Sequence, residues 1–221
     1  MLDGILTIST SIILVTILSV PCLALVTRVM YLYLTPPRRH TQPRSRPART
    51  CIVMGSGGHT SEMMHLLHHI PKHHFTPRIY VIAATDILSA AKVGDIESDQ
   101  ADVAIRYIPR SREVGQSWLT TVCTTTYACC MSAILVWDVW PDIIICNGPG
   151  TCVPIIVAAH LVKILGIKSV AVVFVESFAR VQSLSLTGRI LYALRLADVF
   201  VVQWEQLREK YVRAMYCGRL V

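Results

Sequence analysis

The segment TCIVMGSGGHTSEMMHLL, residues 50–67, decides the fold because it joins a strand-like run to a helix through a glycine-rich turn. The opening run is apolar without alternation, which is typical of a strand covered on both faces of a parallel sheet. Gly55, Gly57 and Gly58 place three glycines in four residues, and such a turn lets backbone amides approach a ligand closely. We therefore predict a site for an anion of phosphate or diphosphate size at the helix N-terminus. The alternative is a tight turn that binds nothing.

His59 follows the glycines at the mouth of the predicted helix. An imidazole there can donate a hydrogen bond to a phosphate oxygen or take a proton from an attacking hydroxyl group. The alternative is a histidine that points into solvent. Glu62 is interpreted more simply, as an acid that interacts favourably with the N-terminal end of the helix dipole.

The glycine loop does not fit the two common nucleotide-binding motifs. A dinucleotide fingerprint requires glycine where Thr60 stands, and the loop lacks the lysine of a P-loop. Asp86 lies near the place of a ribose-binding acid, but it is equally suited to cap the next helix.

Strand-like and helix-like segments alternate along the rest of the chain. This order predicts an α/β fold, a Rossmann-like doubly wound parallel sheet. The predicted strands are residues 50–54, 78–83, 103–108, 142–146, 169–175 and 198–202, and the predicted helices are residues 59–70, 86–93, 117–138, 152–165, 184–196 and 204–215.

Three further loops follow predicted strands, at the edge of the sheet where ligands bind in such folds. NGPGT, residues 147–151, is a second glycine-containing turn into a helix. Arg110 and Arg112 supply positive charge that suits a diphosphate, or else they pair with Glu113 in a solvated loop. Glu176 ends an apolar strand, where a carboxylate must be hydrogen-bonded or exposed in a cleft; the alternative is a cap for the following segment.

The N-terminal region has the composition of a membrane anchor. Residues 4–27 carry no charge, and roughly 20 such residues cross a bilayer as a helix. A cleaved signal peptide is disfavoured, because Asp3 stands where such a peptide carries Lys or Arg. We predict an anchor over residues 1–34, a basic Pro/Arg-rich linker over 35–49 and a single-pass topology that places the domain, 50–221, in the cytosol.

A second uncharged segment, residues 114–137, is also long enough to span a bilayer. A predicted strand follows it almost at once. If the segment spanned the bilayer, that strand would lie on the opposite side of the membrane from the first βα unit. We therefore predict a buried or membrane-skimming helix.

Composition excludes several other classes of site. Most of the net charge of +7 comes from the arginines of the first 50 residues, so the domain itself shows no sign of nucleic-acid binding. The eight cysteines include no C-x-x-C pair and are predicted to be reduced. The histidines of residues 65–74 are predicted to be solvated near a helix C-terminus, so we expect neither a metal site nor a cofactor.

Several motifs, in this order, resemble one known family. GSGGHTSEM, IPRSREV, PDIIICNGPGTCVPI, GIKSVAVVFVES and ADVFVVQW resemble the membrane-anchored subunit of the eukaryotic UDP-N-acetylglucosamine transferase. That enzyme adds the second GlcNAc to GlcNAc-diphospho-dolichol at the start of N-glycan assembly. The likeness covers residues 50–221, and the pattern is similar, more distantly, to the N-terminal domain of the bacterial transferase MurG.

The resemblance implies one half of a GT-B glycosyltransferase, non-catalytic alone, at the endoplasmic reticulum membrane. A separate soluble subunit would bind UDP-GlcNAc, and this chain would recruit it and present the lipid-linked acceptor. His59 becomes the candidate base, and Glu176 would hold a sugar hydroxyl. The residues implied at the acceptor diphosphate or sugar are Gly55, Gly57, Gly58, Thr60, Arg110, Arg112, Asn147, Gly148, Gly150, Thr151 and Glu176, and those implied in docking the partner are Tyr216, Gly218, Arg219, Leu220 and Val221.

Two rival functions are left open by the sequence. One is a membrane-tethered oxidoreductase that binds NAD in the glycine loop, against which the absent third glycine counts. The other is a scaffold whose loops bind no ligand and which serves only to recruit the soluble subunit.

Overall fold

Strands and helices alternate through the chain as the sequence predicts. The structure, a computed structural model, describes residues 19–35, 44, 46–97, 102–110, 117–148 and 150–220. The strands are β1 (Thr50–Val53), β2 (Arg78–Ala83), β3 (Val103–Ile108), β4 (Ile143–Asn147), β5 (Ala171–Val175), β6 (Val199–Val202) and β7 (Met215–Tyr216). The helices are α1 (Ser19–Leu34), α2 (Gly58–His68), α3 (Ile87–Ile96), α4 (Trp118–Val139), α5 (Cys152–Ile164), α6 (Leu186–Ala193) and α7 (Glu205–Lys210). The first part of the predicted anchor and most of the linker lie outside the described residues.

All the strands join one sheet in the order β3-β2-β1-β4-β5-β6-β7, and every pair is parallel. The order runs outward from β1 to β3 in one direction and from β4 to β7 in the other. The predicted doubly wound, Rossmann-like sheet is therefore confirmed. The reversal between β1 and β4 creates a crevice at their carboxyl ends, where such folds bind ligands.

Helices cover both faces of this sheet. Successive residues of a strand point to opposite faces, so Cys51 and Val53 pack in a core with α4 to α7, whereas Ile52 packs in a core with α2 and α3. These three β1 side chains are almost entirely buried. The absence of polar alternation in β1 thus reflects apolar cover on both sides.

Helix α4 packs on the sheet along one face only. Leu135, Val136 and Val139 are buried in the core, whereas Ile134 and Trp137 are each 62% exposed. Its segment Thr121–Val139 is the one helix of the described residues that is long and apolar enough to cross a membrane. Since β3 and β4, at its two ends, belong to the same sheet, α4 does not cross a bilayer between them.

The end of α1 lies against the domain. The guanidinium of Arg195 donates to the Tyr33 carbonyl oxygen at 2.8 Å and stacks over the Tyr33 ring at 4.6 Å. Arg28 reaches the Lys163 carbonyl oxygen at the end of α5, at 3.5 Å. These contacts place the C-terminal end of α1 beside the C-terminal ends of α5 and α6.

The predicted helix over residues 204–215 is wrong in its second half. Helix α7 ends at Lys210, and Met215–Tyr216 forms β7 beside β6. The Arg213 guanidinium stacks over the Tyr192 ring at 4.1 Å and donates to the Tyr192 carbonyl oxygen. These contacts with α6, together with pairing to β6, outweigh the local helical pattern.

Candidate functional site

The two glycine loops meet at the crevice between β1 and β4. Val53, the last residue of β1, pairs with Cys146 in β4, so the loops that follow start side by side. They lead into α2 and α5, which pack on opposite faces of the sheet. The structure thus brings Gly55–His59 together with the loop that begins at Asn147.

The first loop presents backbone donors that no side chain of the described residues caps. Gly57 precedes α2 with φ of 62° and ψ of −121°, a conformation that favours glycine. Ideal Cβ atoms on Gly57 or Gly58 would meet nothing within 4 Å, and no side chain of the described residues caps α2. The first amides of α2 are therefore available to an anion, with the helix dipole in the favourable direction.

His59 lies between the two loops. Its Nδ1 atom is 3.1 Å from the Asn147 Oδ1 atom, and its ring faces Gly148 so closely that a Cβ atom there would be 2.6 Å from His59 Cε1. A carboxamide oxygen only accepts, so Nδ1 donates to it and the neutral ring keeps its lone pair on Nε2. About a third of the side chain, 35%, is exposed. The arrangement therefore suits a proton acceptor at Nε2.

Two buried polar atoms near His59 have no hydrogen-bond partner among the described residues. They are the Asn147 Nδ2 and Glu62 Oε2 atoms, and Glu62 Oε2 lies 4.0 Å from His59 Nδ1. Buried polar atoms are rarely unpaired in native proteins. We therefore expect Asn147 Nδ2 and Glu62 Oε2 to make further polar contacts in the crevice.

Thr60 turns away from the crevice. Its hydroxyl is buried and lies 2.6 Å from both the Gly55 carbonyl oxygen and Ser89 Oγ. Asp86 caps α3, because its carboxylate accepts from the Ser89 backbone amide at 3.1 Å and from the Ser89 hydroxyl. These side chains fasten the glycine loop to α3, and the carboxylate of Asp86 is engaged by that cap rather than held open for a ribose.

Glu176 is buried at the end of β5. One carboxylate oxygen accepts from the Ser177 amide at 3.0 Å, and the other accepts from the Ser185 amide at 3.0 Å and from its hydroxyl. Burial raises the pKa of Glu176, and these hydrogen bonds act in the opposite direction. A Cβ on Gly188 would clash with the same carboxylate. The structure thus shows Glu176 as a cap for the following segment, and a role in holding a sugar hydroxyl stays a prediction.

The remaining predicted ligand-binding residues differ in position. Thr151 caps α5 without a side-chain hydrogen bond, and Gly150 precedes it beside the crevice. Arg110 follows β3, which lies two strands from β1 along the same edge of the sheet. Arg112 lies outside the described residues.

The C-terminal segment folds back across the sheet. Leu220 donates its amide to Gln203 Oε1 at 3.1 Å, and its side chain packs against Leu66 and Val201. Arg219 stacks over the Trp204 ring at 4.5 Å, and Tyr216 is 40% exposed on the edge strand β7. Val221 lies outside the described residues.

Sequence reasoning missed Glu62 as part of the site. It predicted a partner of the helix dipole in the first turn, but α2 begins at Gly58 and no acid lies in its first turn. Glu62 instead accepts from the Ser177 hydroxyl at 2.8 Å and faces His59. The i,i+3 spacing of His59 and Glu62 was the available signal, because residues so spaced share a helix face.

Comparison with known proteins places this geometry in a family. Residues 50–220 match the family described as oligosaccharide biosynthesis protein Alg14 like. The chain is 50% identical over 179 residues to the UDP-N-acetylglucosamine transferase subunit ALG14 of Homo sapiens, covering 77% of this chain and 82% of the relative. It is 44% identical over 172 residues to the subunit of the same name from Schizosaccharomyces pombe, covering 76% of this chain and 80% of the relative.

Solved structures share the fold. MurG of Acinetobacter baumannii superposes with a TM-score of 0.53 at 16% identity, covering 72% of this chain and 43% of MurG. A UDP-N-acetylglucosamine 2-epimerase superposes with a TM-score of 0.55 at 19% identity, covering 76% of this chain and 43% of the epimerase. The chain therefore spans less than half the length of these enzymes, and the likeness shows the fold of one of their halves.

Proposed function

The chain belongs to the Alg14-like family of oligosaccharide biosynthesis proteins, and we propose that it is a subunit of a UDP-N-acetylglucosamine transferase of the N-glycan precursor pathway. In this role it presents GlcNAc-diphospho-dolichol, the acceptor of the second GlcNAc, to a soluble subunit that it holds at the endoplasmic reticulum membrane. The observation that carries the proposal is the pairing of two glycine loops around His59 at the β1–β4 crevice.

The acceptor diphosphate is proposed to bind at the first amides of α2. Gly57 and Gly58 leave these donors open, and a diphosphate gains both hydrogen bonds and a favourable helix dipole there. Gly148, Gly150 and Thr151 line the other side of the crevice, and Arg110 adds charge from the same edge. A nucleotide is less suited to the loop, because Thr60 and Asp86 are engaged in holding it to α3.

His59 is proposed as the base of the transfer. The acceptor hydroxyl gives its proton to Nε2, its oxygen forms the new bond to the donor sugar's anomeric carbon, and UDP leaves from that carbon. His59 Nδ1 is held by Asn147, so the ring presents Nε2 outward throughout. Positioned general bases accelerate such steps by about 10² to 10⁴-fold.

The donor half is proposed to come from the soluble partner. The sheet of this chain corresponds to less than half of the two enzymes that share its fold. We propose that the partner docks on the C-terminal segment, residues 216–221, and on the sheet face next to it. Leu66 and Leu220 cover β5 and β6 on that face, whereas α6 and α7 pack on the other face.

The membrane is proposed to lie against α1 and the outer face of α4. Both carry exposed apolar side chains, including Leu23 and Val26 in α1 and Ile134 and Trp137 in α4. The arginines after the anchor support a cytosolic position of the domain under the positive-inside rule. The contacts of α1 lie at the C-terminal end of α5, the opposite end of that helix from the crevice, so the outer face of α4 is proposed to bring the crevice near the headgroups of the lipid-linked acceptor.

Reconstitution tests the proposal. The purified chain alone should not transfer GlcNAc from UDP-GlcNAc to GlcNAc-diphospho-dolichol, whereas the complex co-purified from membranes should. His59→Ala should lower turnover of that complex roughly 100-fold or more while partner pull-down stays intact. Transfer by the chain alone would contradict the split enzyme, and unchanged turnover of His59→Ala would favour the scaffold.

A further inference from the structure

Glu62 lies one helical turn after His59, and its two carboxylate oxygens have different surroundings. Oε1 accepts a hydrogen bond from the Ser177 hydroxyl at 2.8 Å. Oε2 is buried, has no hydrogen-bond partner among the described residues, and lies 4.0 Å from His59 Nδ1. Ser177 follows β5 and thus fixes Glu62 from outside its own helix.

A carboxylate held in this way serves more than the packing of α2. An anchor to Ser177 needs only one oxygen, yet the second is buried next to an imidazole rather than turned to water. An unpaired buried carboxylate oxygen is costly, so its place beside His59 calls for a compensating interaction. The positive charge that the His59 ring gains when Nε2 takes a proton supplies that interaction.

The Asn147 side chain completes the arrangement. Its Oδ1 atom accepts from His59 Nδ1 at 3.1 Å, and Asn147 is fully buried at the end of β4. The ring is therefore held on its Nδ1 side by the Asn147 amide oxygen from β4 and faces the Glu62 carboxylate from α2 on the same side, which leaves Nε2 turned away from both. A protonated ring is stabilised from the same side by Glu62.

We propose that Glu62 is a positioning residue that acts through His59: its negative charge favours the Nδ1–H tautomer that donates to Asn147 and stabilises the imidazolium that forms when Nε2 takes the acceptor proton. The inference rests on the proposed function for the role of His59 as base. The acceptor O–H bond breaks, its oxygen bonds to the anomeric carbon as the bond to UDP breaks, and the proton stays on Nε2 until it is released to solvent. Glu62 keeps its own charge throughout and exchanges no proton.

A double-mutant cycle in the reconstituted complex tests the coupling. Glu62→Gln keeps the side-chain shape and an acceptor for Ser177 but removes the charge. It should lower kcat roughly 10- to 100-fold with little change in the KM for the lipid acceptor. In a His59→Ala background the same change should have no further effect, because residues that act as a unit are not additive. Asp95→Asn is the matched control, because it makes the same charge change at an exposed position of α3. It should leave turnover unaltered.

The ring itself gives a readout independent of turnover. In NMR spectra of the ¹⁵N-labelled complex, the His59 imidazole signals are those that disappear in His59→Ala. They should report the Nδ1–H tautomer. Glu62→Gln should reduce the share of that tautomer. Unchanged ring signals in Glu62→Gln would overturn the inference, as would losses of kcat that add fully in the double variant. If His59→Ala leaves turnover intact, the proposed base fails, and with it the catalytic role of Glu62. A change in the His59 tautomer in Glu62→Gln would then still show that Glu62 and His59 interact.

Discussion

At the scale of single residues, Gly148 is constrained in two independent ways. Its φ of +72° lies in the left-handed region, which costs a side-chain-bearing residue about 1–2 kcal/mol. In addition, a Cβ atom would lie 2.6 Å from His59 Cε1, so the ring would have to move. Backbone conformation and the position of the proposed base are thus set by the same residue.

Gly148→Ala should therefore lower transfer by the complex roughly 100-fold, because a displacement of about 1 Å at a catalytic group has that effect. Gly166→Ala is the matched control, since Gly166 has φ of +71° and open space around its Cβ position. Both variants should lose thermal stability through the left-handed φ, Gly148→Ala somewhat more because of the clash with His59, and only Gly148→Ala should lose turnover. Equal turnover of the two variants would show that the position of the His59 ring does not matter.

At the scale of elements, a buried ion pair joins β2 to Glu97, the residue that follows α3. The Arg78 guanidinium donates to both Glu97 oxygens at 3.1 and 2.9 Å, and the Tyr80 hydroxyl donates to Glu97 at 2.7 Å. Burial by itself raises the pKa of Glu97, but the hydrogen bonds from Arg78 and Tyr80 and the charges of Arg78 and Lys72 outweigh it and lower that pKa below 4.5.

The direction of this pKa change predicts a pH dependence of stability. A carboxylate with a lowered folded-state pKa stabilises the fold above its unfolded-state pKa, and that contribution is lost as the pH falls through the folded-state value. The free energy of unfolding, from urea titrations in detergent, should therefore fall on acidification below pH 4.5. In Glu97→Gln this acid-dependent loss should be smaller.

At neutral pH, Glu97→Gln should lower the free energy of unfolding by about 3 kcal/mol, because it leaves Arg78 buried without its carboxylate partner. Asp138→Asn is the control, since its pair with Arg106 at 3.5 Å is more than half exposed on both sides. Exposed pairs contribute about 1 kcal/mol or less. Equal losses in the two variants would contradict the argument from burial.

At the scale of the whole molecule, the exposed apolar side chains of α1 and α4 predict how the domain lies on the membrane. Trp137→p-benzoylphenylalanine in the full chain, irradiated in membranes, should crosslink to phospholipid, because aromatic side chains favour the bilayer interface. Leu88 in α3, 78% exposed on the other side of the sheet, is the control position and should give little lipid adduct. The same yield at both positions would contradict the proposed orientation.

The proposed docking surface makes a second prediction at this scale. Deletion of residues 218–221 removes Leu220 from Leu66 and Val201 and Arg219 from Trp204, and it should release the soluble partner in pull-down from membranes. Ile87→Ser, at an 80% exposed position in α3, should retain the partner. Full retention after the deletion would place the interface elsewhere.

The sequence by itself determined six of the seven strands of the described residues, the type of sheet and the two loops of the crevice. Continuous apolar runs such as residues 50–54 predict strands buried on both faces, and their alternation with helices permits little besides a doubly wound sheet. The N-terminal anchor, the linker and Arg112 remain predictions, because they lie wholly or partly outside the described residues. The family resemblance rests on the same short motifs and is confirmed by the match over residues 50–220.

Only the tertiary structure decided which polar groups meet. Asn147 and Ser177 lie far from His59 and Glu62 in the chain, and the parallel order β1-β4-β5 brings all four residues to one edge of the sheet. The same applies to Glu176, whose partner Ser185 follows a loop, and to β7, where pairing with β6 overrides a helical pattern. Local sequence fixes backbone preferences and burial periodicity, whereas contacts between distant residues depend on strand order, which local patterns do not encode.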